Sequence, residues 1–229
     1  MTSAATKKSA VKSRSPETRN RILDAAEAMF VERGYFGTSL RDITSEANLQ
    51  VALSYYHFGS KENLFKAVIE RRAEDNAQGL ELALEEALAL DAEPEKALQA
   101  ILRAFLHPVV ERTLNGGEGW KNYIRLMAQL AHVPQQESYI APVATYYDAI
   151  VARFIEALRT RFPSMDAEDV HWAFYFYQAA ITHVLAESGL IDRQSGGLCR
   201  ARDLNKIVDK MSLFFSAGFL SLCPQEQAE

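Results

Sequence analysis

A chain of 229 residues that is 48% hydrophobic has room for one large or two small domains and enough apolar material for a sizeable core. Its net charge of −5 argues, taken as a total, against a nucleic-acid partner, and no charge-free apolar run reaches the ~18 residues of a membrane span. Two cysteines, Cys199 and Cys223, are too few for a disulfide framework or a metal-ligand cluster and are expected as reduced thiols of a cytoplasmic protein.

After Met1, residues 2–15 are Ser, Thr, Ala and Val with Lys7, Lys8, Lys12, Arg14 and no acid, so 1–15 is a disordered basic tail by composition. Such a tail either adds phosphate or minor-groove contacts or simply keeps the chain soluble. It lacks the apolar stretch of a secretory signal. The first helix is predicted over Pro16–Arg33: Ser15 caps it, Pro16 suits its first turn and Glu17 its dipole. Ile22, Leu23, Ala26, Met29 and Phe30 form its buried stripe. Gly34 ends it, and Tyr35 and Phe36 are expected to plug a small core with Leu40, Ile43, Leu49, Leu53, Phe58, Leu64 and Phe65.

Thr38–Lys61 reads as two short helices around a tight turn. Ser39 is an N-cap candidate for a helix over Leu40–Ala47, and Asn48 suits the left-handed break. The second helix runs over Val51–His57, Gly59 ends it, and Ser60 can cap the next. These are the proportions of a helix-turn-helix. Gln50, Ser54, Tyr55, Tyr56 and His57 are all hydrogen-bonding residues, which a helix serving only a core does not need. In a major groove Gln50 can pair with adenine, Val51 or Ala52 can touch a thymine methyl, and Tyr56, His57 and Lys61 can reach phosphate. The candidate DNA-contacting set is Thr38, Ser39, Arg41, Gln50, Val51, Ala52, Ser54, Tyr55, Tyr56, His57 and Lys61.

The segments G-Y-F-G-T-S-L-R-D-I (34–43) and Y-Y-H-F-G-S-K-E-N-L-F (55–65) resemble the N-terminal domain of the TetR family of bacterial transcription regulators, over about residues 16–70. The resemblance implies an all-helical homodimeric repressor that binds double-stranded operator DNA and is released by a small-molecule effector. Many members carry Lys or Ser where this chain has Gln50 and Val51, so its base readout is expected to be its own. Charge distribution agrees: residues 1–66 carry +3 and the remainder −8.

The expected fold class is all-α, with a three-helix helix-turn-helix domain followed by a larger helical ligand-binding and dimerisation domain. The expected boundaries are 1–15 for the tail, 16–66 for the DNA-binding domain and 67–229 for the rest. A long helix from Lys61 to about Leu90 joins the two, and Glu70, Arg71, Arg72, Glu74 and Asp75 mark an exposed region around its middle. Further helices are predicted from Pro94 to about Thr113, bent or interrupted at Pro108, then over 118–132 and from about Ser138 to Arg161. An aromatic-rich helix capped by Ser164 or Asp166 ends at Ser188-Gly189; a mobile loop covers 190–200, and a last helix runs over Ala201–Leu222. The last two long helices are apolar almost all round, which favours a four-helix interface between two copies over burial within one.

The expected effector is small and largely apolar or aromatic, with an anionic end as one option. Its candidate contacts are Phe105, Trp120, Tyr123, Arg125, Met127, Phe174, Tyr177 and Gln178. Arg125 either pairs with an acid of a neighbouring helix or meets an anionic ligand. H-E-x-x-H, C-x-x-C, G-x-S-x-G and phosphate-binding glycine loops are absent from the sequence, and His107, His132, His171 and His183 are scattered. No catalytic residue, metal or cofactor is therefore expected. A ligand-independent DNA binder is the alternative, and a helical enzyme a more distant one.

Overall fold

A computed structural model describes residues 16–134, 137–186 and 189–223. Among the described residues there are ten α-helices and no strand. The basic tail, the capping role expected of Ser15, and Ser188 fall outside the described residues.

Three short helices form the N-terminal unit: α1 (Pro16–Arg33), α2 (Leu40–Glu46) and α3 (Val51–Phe58). Each boundary has a local cause. Ser39 and Asp42 close a reciprocal capping box at the start of α2. Asn48 takes a left-handed conformation at φ 52° between α2 and α3, and Gly59 does so at φ 76° after α3. Ser60 then caps α4 (Lys61–Leu88) by accepting from the Asn63 amide. At 28 residues α4 is about 42 Å long.

The larger unit holds α5 (Pro94–Asn115), α6 (Glu118–Leu130), α7 (Ala141–Arg161), α8 (Ala167–Leu185), α9 (Leu190–Gln194) and α10 (Leu204–Ser221). Helix α5 packs between α4 and α10, and α7 lies along α4. Two expectations change here. Pro108 lies inside α5, which runs on past it, so of the bend or interruption expected there the interruption is ruled out. The segment expected as a mobile loop instead forms α9 and a stitched turn, in which Asp192 accepts from the Ala201 amide (2.8 Å) and Ser195 from the Cys199 amide (2.9 Å).

There are two cores. Around α1–α3 and the start of α4 lie Ile22, Phe30, Ile43, Leu64, Phe65 and Val68, closed by Leu126, Leu130, Tyr139 and Ile140 from the larger unit. The second core joins Leu84, Leu102, Phe105, Phe154, Phe174, Tyr177 and Val208 across α4, α5, α7, α8 and α10.

Candidate nucleic-acid interface and ligand cavity

Helix α3 presents Ala52, Tyr55 and Tyr56 outward, with Gln50 exposed at its N-cap and Arg41 exposed on α2. Tyr55 and Tyr56 are 57% and 60% exposed, too much for aromatic side chains that only fill a core. Val51 and His57 are half-buried beside them. Gln50, Tyr55, Tyr56 and Arg41 thus offer hydrogen-bonding groups, and Ala52 an apolar one, on and beside a helix short enough to enter a major groove.

Behind it the unit is fixed to the rest of the molecule by several contacts, three of which bear on the site. The buried Glu27 carboxylate of α1 pairs with Arg72 of α4 (2.7 Å), and Arg72 also lies over the Trp120 ring of α6 (5.7 Å). Arg112 of α5 covers Trp120 as well (4.8 Å) and donates to the Asp75 carbonyl (2.7 Å). Backbone must come close for this: a Cβ at Gly119 would collide with Arg72 Nη2, and one at Gly79 with Arg112 Nη2. The second tie is Gln129 Nε2 donating to the Val31 carbonyl (3.1 Å). The third is Tyr139, on the 3-10 turn Ser138–Ile140, stacked flat on Tyr35 (4.2 Å between centroids, 4° between planes) and edge-on to Phe65. Burial pushes the Glu27 carboxyl up to about 7 against the opposing pull of Arg72.

Between α4, α5, α6, α7 and α8 lies a cavity of about 460 Å³, within the size range of small-molecule sites. Phe105, Ile124 and Leu80 wall its floor, and Asp148, Tyr175 and His132 are exposed residues of its wall. Asn76 of α4 and Tyr123 of α6 reach it, with Tyr147 and Gln178, whose Nε2 donates to the Tyr147 hydroxyl (3.4 Å). Burial raises the Tyr123 and Tyr147 hydroxyls above the ordinary phenol range, so both stay protonated.

The sequence profile described as "Bacterial regulatory proteins, tetR family" matches residues 22–68, from within α1 through α2 and α3 into α4. That described as "Tetracyclin repressor-like, C-terminal domain" matches 103–218, more than half of the chain. The chain belongs to the TetR family. It is 28% identical over 120 residues to the biofilm operon icaADBC HTH-type negative transcriptional regulator IcaR of Staphylococcus aureus, covering 52% of this chain and 57% of that one. It is 32% identical over 89 residues to the HTH-type transcriptional activator FasR of Mycolicibacterium smegmatis, covering 39% of each. The chain thus spans 28–57% of the length of such curated relatives. Its fold is similar to that of the ketosteroid transcriptional regulator KstR2 of Mycobacterium tuberculosis (TM-score 0.57, 19% identity, 90% of this chain and 96% of that one). It is similar as well to the TetR family transcriptional regulator PfmR of Thermus thermophilus (TM-score 0.54, 24% identity, 88% and 97%).

Within this TetR-family chain, several candidate residues are engaged elsewhere. Thr38 is buried, its hydroxyl donating to the Gly34 carbonyl (2.9 Å). Ser54 is buried and donates to the Val51 carbonyl (2.9 Å), and Ser39 is held in its capping box. Lys61 Nζ donates to the Tyr35 and Thr38 carbonyls (2.9 and 3.1 Å) and lies over the Tyr35 ring, so it ties the turn before α2 to α4 instead of pointing at phosphate. Phe36, expected in the core, is 75% exposed. Arg72, expected on an exposed stretch, is the centre of the joint.

Of the effector candidates, Phe105, Tyr123, Met127 and Gln178 line the cavity; Trp120, Arg125, Phe174 and Tyr177 do not. Trp120 serves the arginine joint. Phe174 and Tyr177 are fully buried, and the Tyr177 hydroxyl donates to the Leu102 carbonyl (2.8 Å). Arg125 is half-buried on α6 and is not among the residues that line the cavity. Asn76, Tyr139 and Tyr147 were not among the expected residues. The spacing Ala73, Asn76, Ala77, Leu80, Leu84 carried a signal for Asn76, since it sets a polar residue within an apolar helical stripe.

Proposed function

We propose that this chain is a ligand-responsive DNA-binding transcriptional regulator, a repressor that binds a palindromic operator as a homodimer and leaves it when a small molecule fills the cavity. Residues 16–66 serve as its DNA-binding unit and 67–229 as its ligand-binding and dimerisation unit. The observation that carries this reading is one helix with two jobs: α4 closes the core beneath α3 with Leu64, Phe65 and Val68, and lines the cavity with Asn76 and Leu80. A ligand that prefers one placement of α4 changes the spacing of two DNA-binding units, and only its differential affinity counts, typically ~1–3 kcal/mol.

The dimer is proposed to rest on α8 and α10, which pack together and leave the large apolar side chains Trp172, Tyr175, Phe176, Leu213 and Phe214 half or more exposed. Gln50, Val51, Ala52 and Tyr55 serve base readout, and Arg41, Tyr56 and His57 serve phosphate contacts. Repression follows the relative with the longer match, which is titled a negative regulator. Among the described residues no helix is long and apolar enough to cross a membrane, in keeping with a cytoplasmic site of action.

The test is footprinting of the purified chain on the DNA beside its own gene, with deletion of the gene read out as neighbouring transcripts. Two half-sites about one turn apart, bound at ~10⁻⁸–10⁻¹¹ M, are expected, together with a rise in transcript on deletion. A single half-site bound by a monomer overturns the dimer; a fall in transcript makes the protein an activator. Arg41→Ala is expected to lower the salt dependence of binding by about one unit of slope, and Lys61→Met to leave that slope unchanged.

A further inference from the structure

Asn76 Oδ1 is fully enclosed and finds no hydrogen-bond donor among the described residues. An enclosed amide oxygen without a donor is costly, and a cost retained at a cavity wall points to something that supplies the donor. The surroundings say what. A side chamber of about 20 Å³ adjoins the main cavity and shares Asn76, Tyr123, Met127, Val143 and Tyr147 with it. That volume holds one water-sized group, since a water needs roughly 10–15 Å³ by this measure. It is too small for a bulky anionic head group.

Charge points the same way. Among the described residues no Lys or Arg lines either space, and the acid that does, Asp148, is exposed. Among the described residues the basic group on the lining is His132, exposed on the main cavity's wall, so a carboxylate drawn into the side chamber would lose its hydration with no Lys or Arg in the lining to replace it. Neutral groups are well served. Asn76 Oδ1 accepts, while the protonated Tyr123 and Tyr147 hydroxyls can donate; Tyr147 already accepts from Gln178, which leaves its own O–H available.

We infer that the cavity takes a neutral, mostly apolar alcohol or phenol whose hydroxyl enters the side chamber, donating to Asn76 Oδ1 and accepting from Tyr123 or Tyr147. This rests on the effector reading above and replaces its option of an anionic end. It also names the lever, because Asn76 lies one turn along α4 from Arg72, which holds α1.

The experiment uses the full chain and three probes of one shape: 2-naphthol, 2-methoxynaphthalene and 2-naphthoate, titrated calorimetrically at neutral pH, with operator release followed in parallel. We expect 2-naphthol to bind about tenfold or more tightly than either of the others. Asn76→Leu should remove that advantage by weakening 2-naphthol alone, and Tyr123→Phe, which keeps the ring, should reduce it if Asn76→Leu fails to fold. Equal or tighter binding of 2-naphthoate overturns the inference, as does a selectivity that survives Asn76→Leu, the result expected if the chamber only holds a structural water. Failure of all three to bind overturns it too. Operator release separates this from the wider reading. Release by 2-naphthoate alone keeps the ligand-responsive regulator and discards the neutral ligand, whereas selective binding of 2-naphthol without release keeps the site and discards the regulation.

Discussion

Beneath α3 the buried hydroxyls all have work: Thr38, Thr44 and Ser54 each donate to a backbone carbonyl, and Phe30, Tyr35, Phe65 and Tyr139 close on one another edge to face or flat. Between α4 and α8 the packing is of another kind. A cavity of about 460 Å³ stands beside a full aromatic core, and one enclosed amide oxygen is left without a donor. A surface that must meet base edges in a fixed register gains from a filled, capped support. A unit proposed to change shape with a small molecule gains from space that the molecule can complete. The two regions differ in how far each is finished before its partner arrives.

That contrast can be broken most directly with a large-to-small change in each region. Phe65→Ala, at the centre of the DNA-side core, is expected to destabilise by about 3–5 kcal/mol and to abolish operator binding. Met127→Ala, on the cavity wall, should cost clearly less, below about 2 kcal/mol, because it enlarges a hole that already exists. Urea denaturation of both variants measures the difference. Equal losses would mean that the cavity side is as tightly filled as the DNA side.

The joint between the regions has a pH signature. Burial raises the Glu27 carboxyl from 4.5 to about 7 despite Arg72. The folded protein therefore holds this proton more tightly than the unfolded chain does. Its contribution to stability is complete below pH 4.5 and is lost as pH rises through about 7. Glu27→Gln, which can still accept from Arg72, should flatten that part of the melting-temperature profile. A variant with the wild-type slope would remove Glu27 from the account.

A smaller effect tests how the DNA side is capped. Ser39→Ala loses the side-chain half of the capping box at α2 and is expected to cost ~1 kcal/mol, with operator affinity falling only through the lost stability. A loss of affinity at full stability would instead make Ser39 a DNA contact.

Much of the DNA side was legible in the sequence because its signals are local. A cap three residues from its amide, a left-handed Asn48 and the helical spacing of Ile22, Ala26 and Phe30 act within a turn or two of chain. What local spacing could not carry was the partner across the fold. Lys61 reads as a free cation until Tyr35 and Thr38 are seen to hold it from more than twenty residues away. Trp120 reads as a pocket wall until Arg72 and Arg112 close over it. Arg125 reads either as one half of an ion pair or as an anion ligand because its helix has few other charges, and it is not among the residues that line the cavity. Asn76 shows the reverse, a polar residue on an α4 stripe whose role depends on Tyr123 of α6 and Tyr147 of α7, which arrive from far downstream in the chain.

The smallest expected effect, at Ala144, sharpens the contrast from the opposite direction, by adding volume, with Ala26 as its filled-core counterpart. Ala26 is fully buried in the DNA-side core, whereas Ala144 of α7 faces the cavity. In a filled core, three extra carbons force neighbours off their rotamers, so Ala26→Ile is expected to cost ~1–3 kcal/mol. At Ala144 the same carbons enter existing space and bury apolar area without displacing anything, so Ala144→Ile should be neutral or stabilise by up to about 1 kcal/mol. It should also leave operator binding intact while weakening 2-naphthol, because ligand and side chain compete for one volume. The decisive readout is the sign of the stability change at Ala144 together with the ligand affinity. A stabilised Ala144→Ile that still binds 2-naphthol at wild-type strength would place the ligand elsewhere, and a destabilised one would show that the cavity closes in solution.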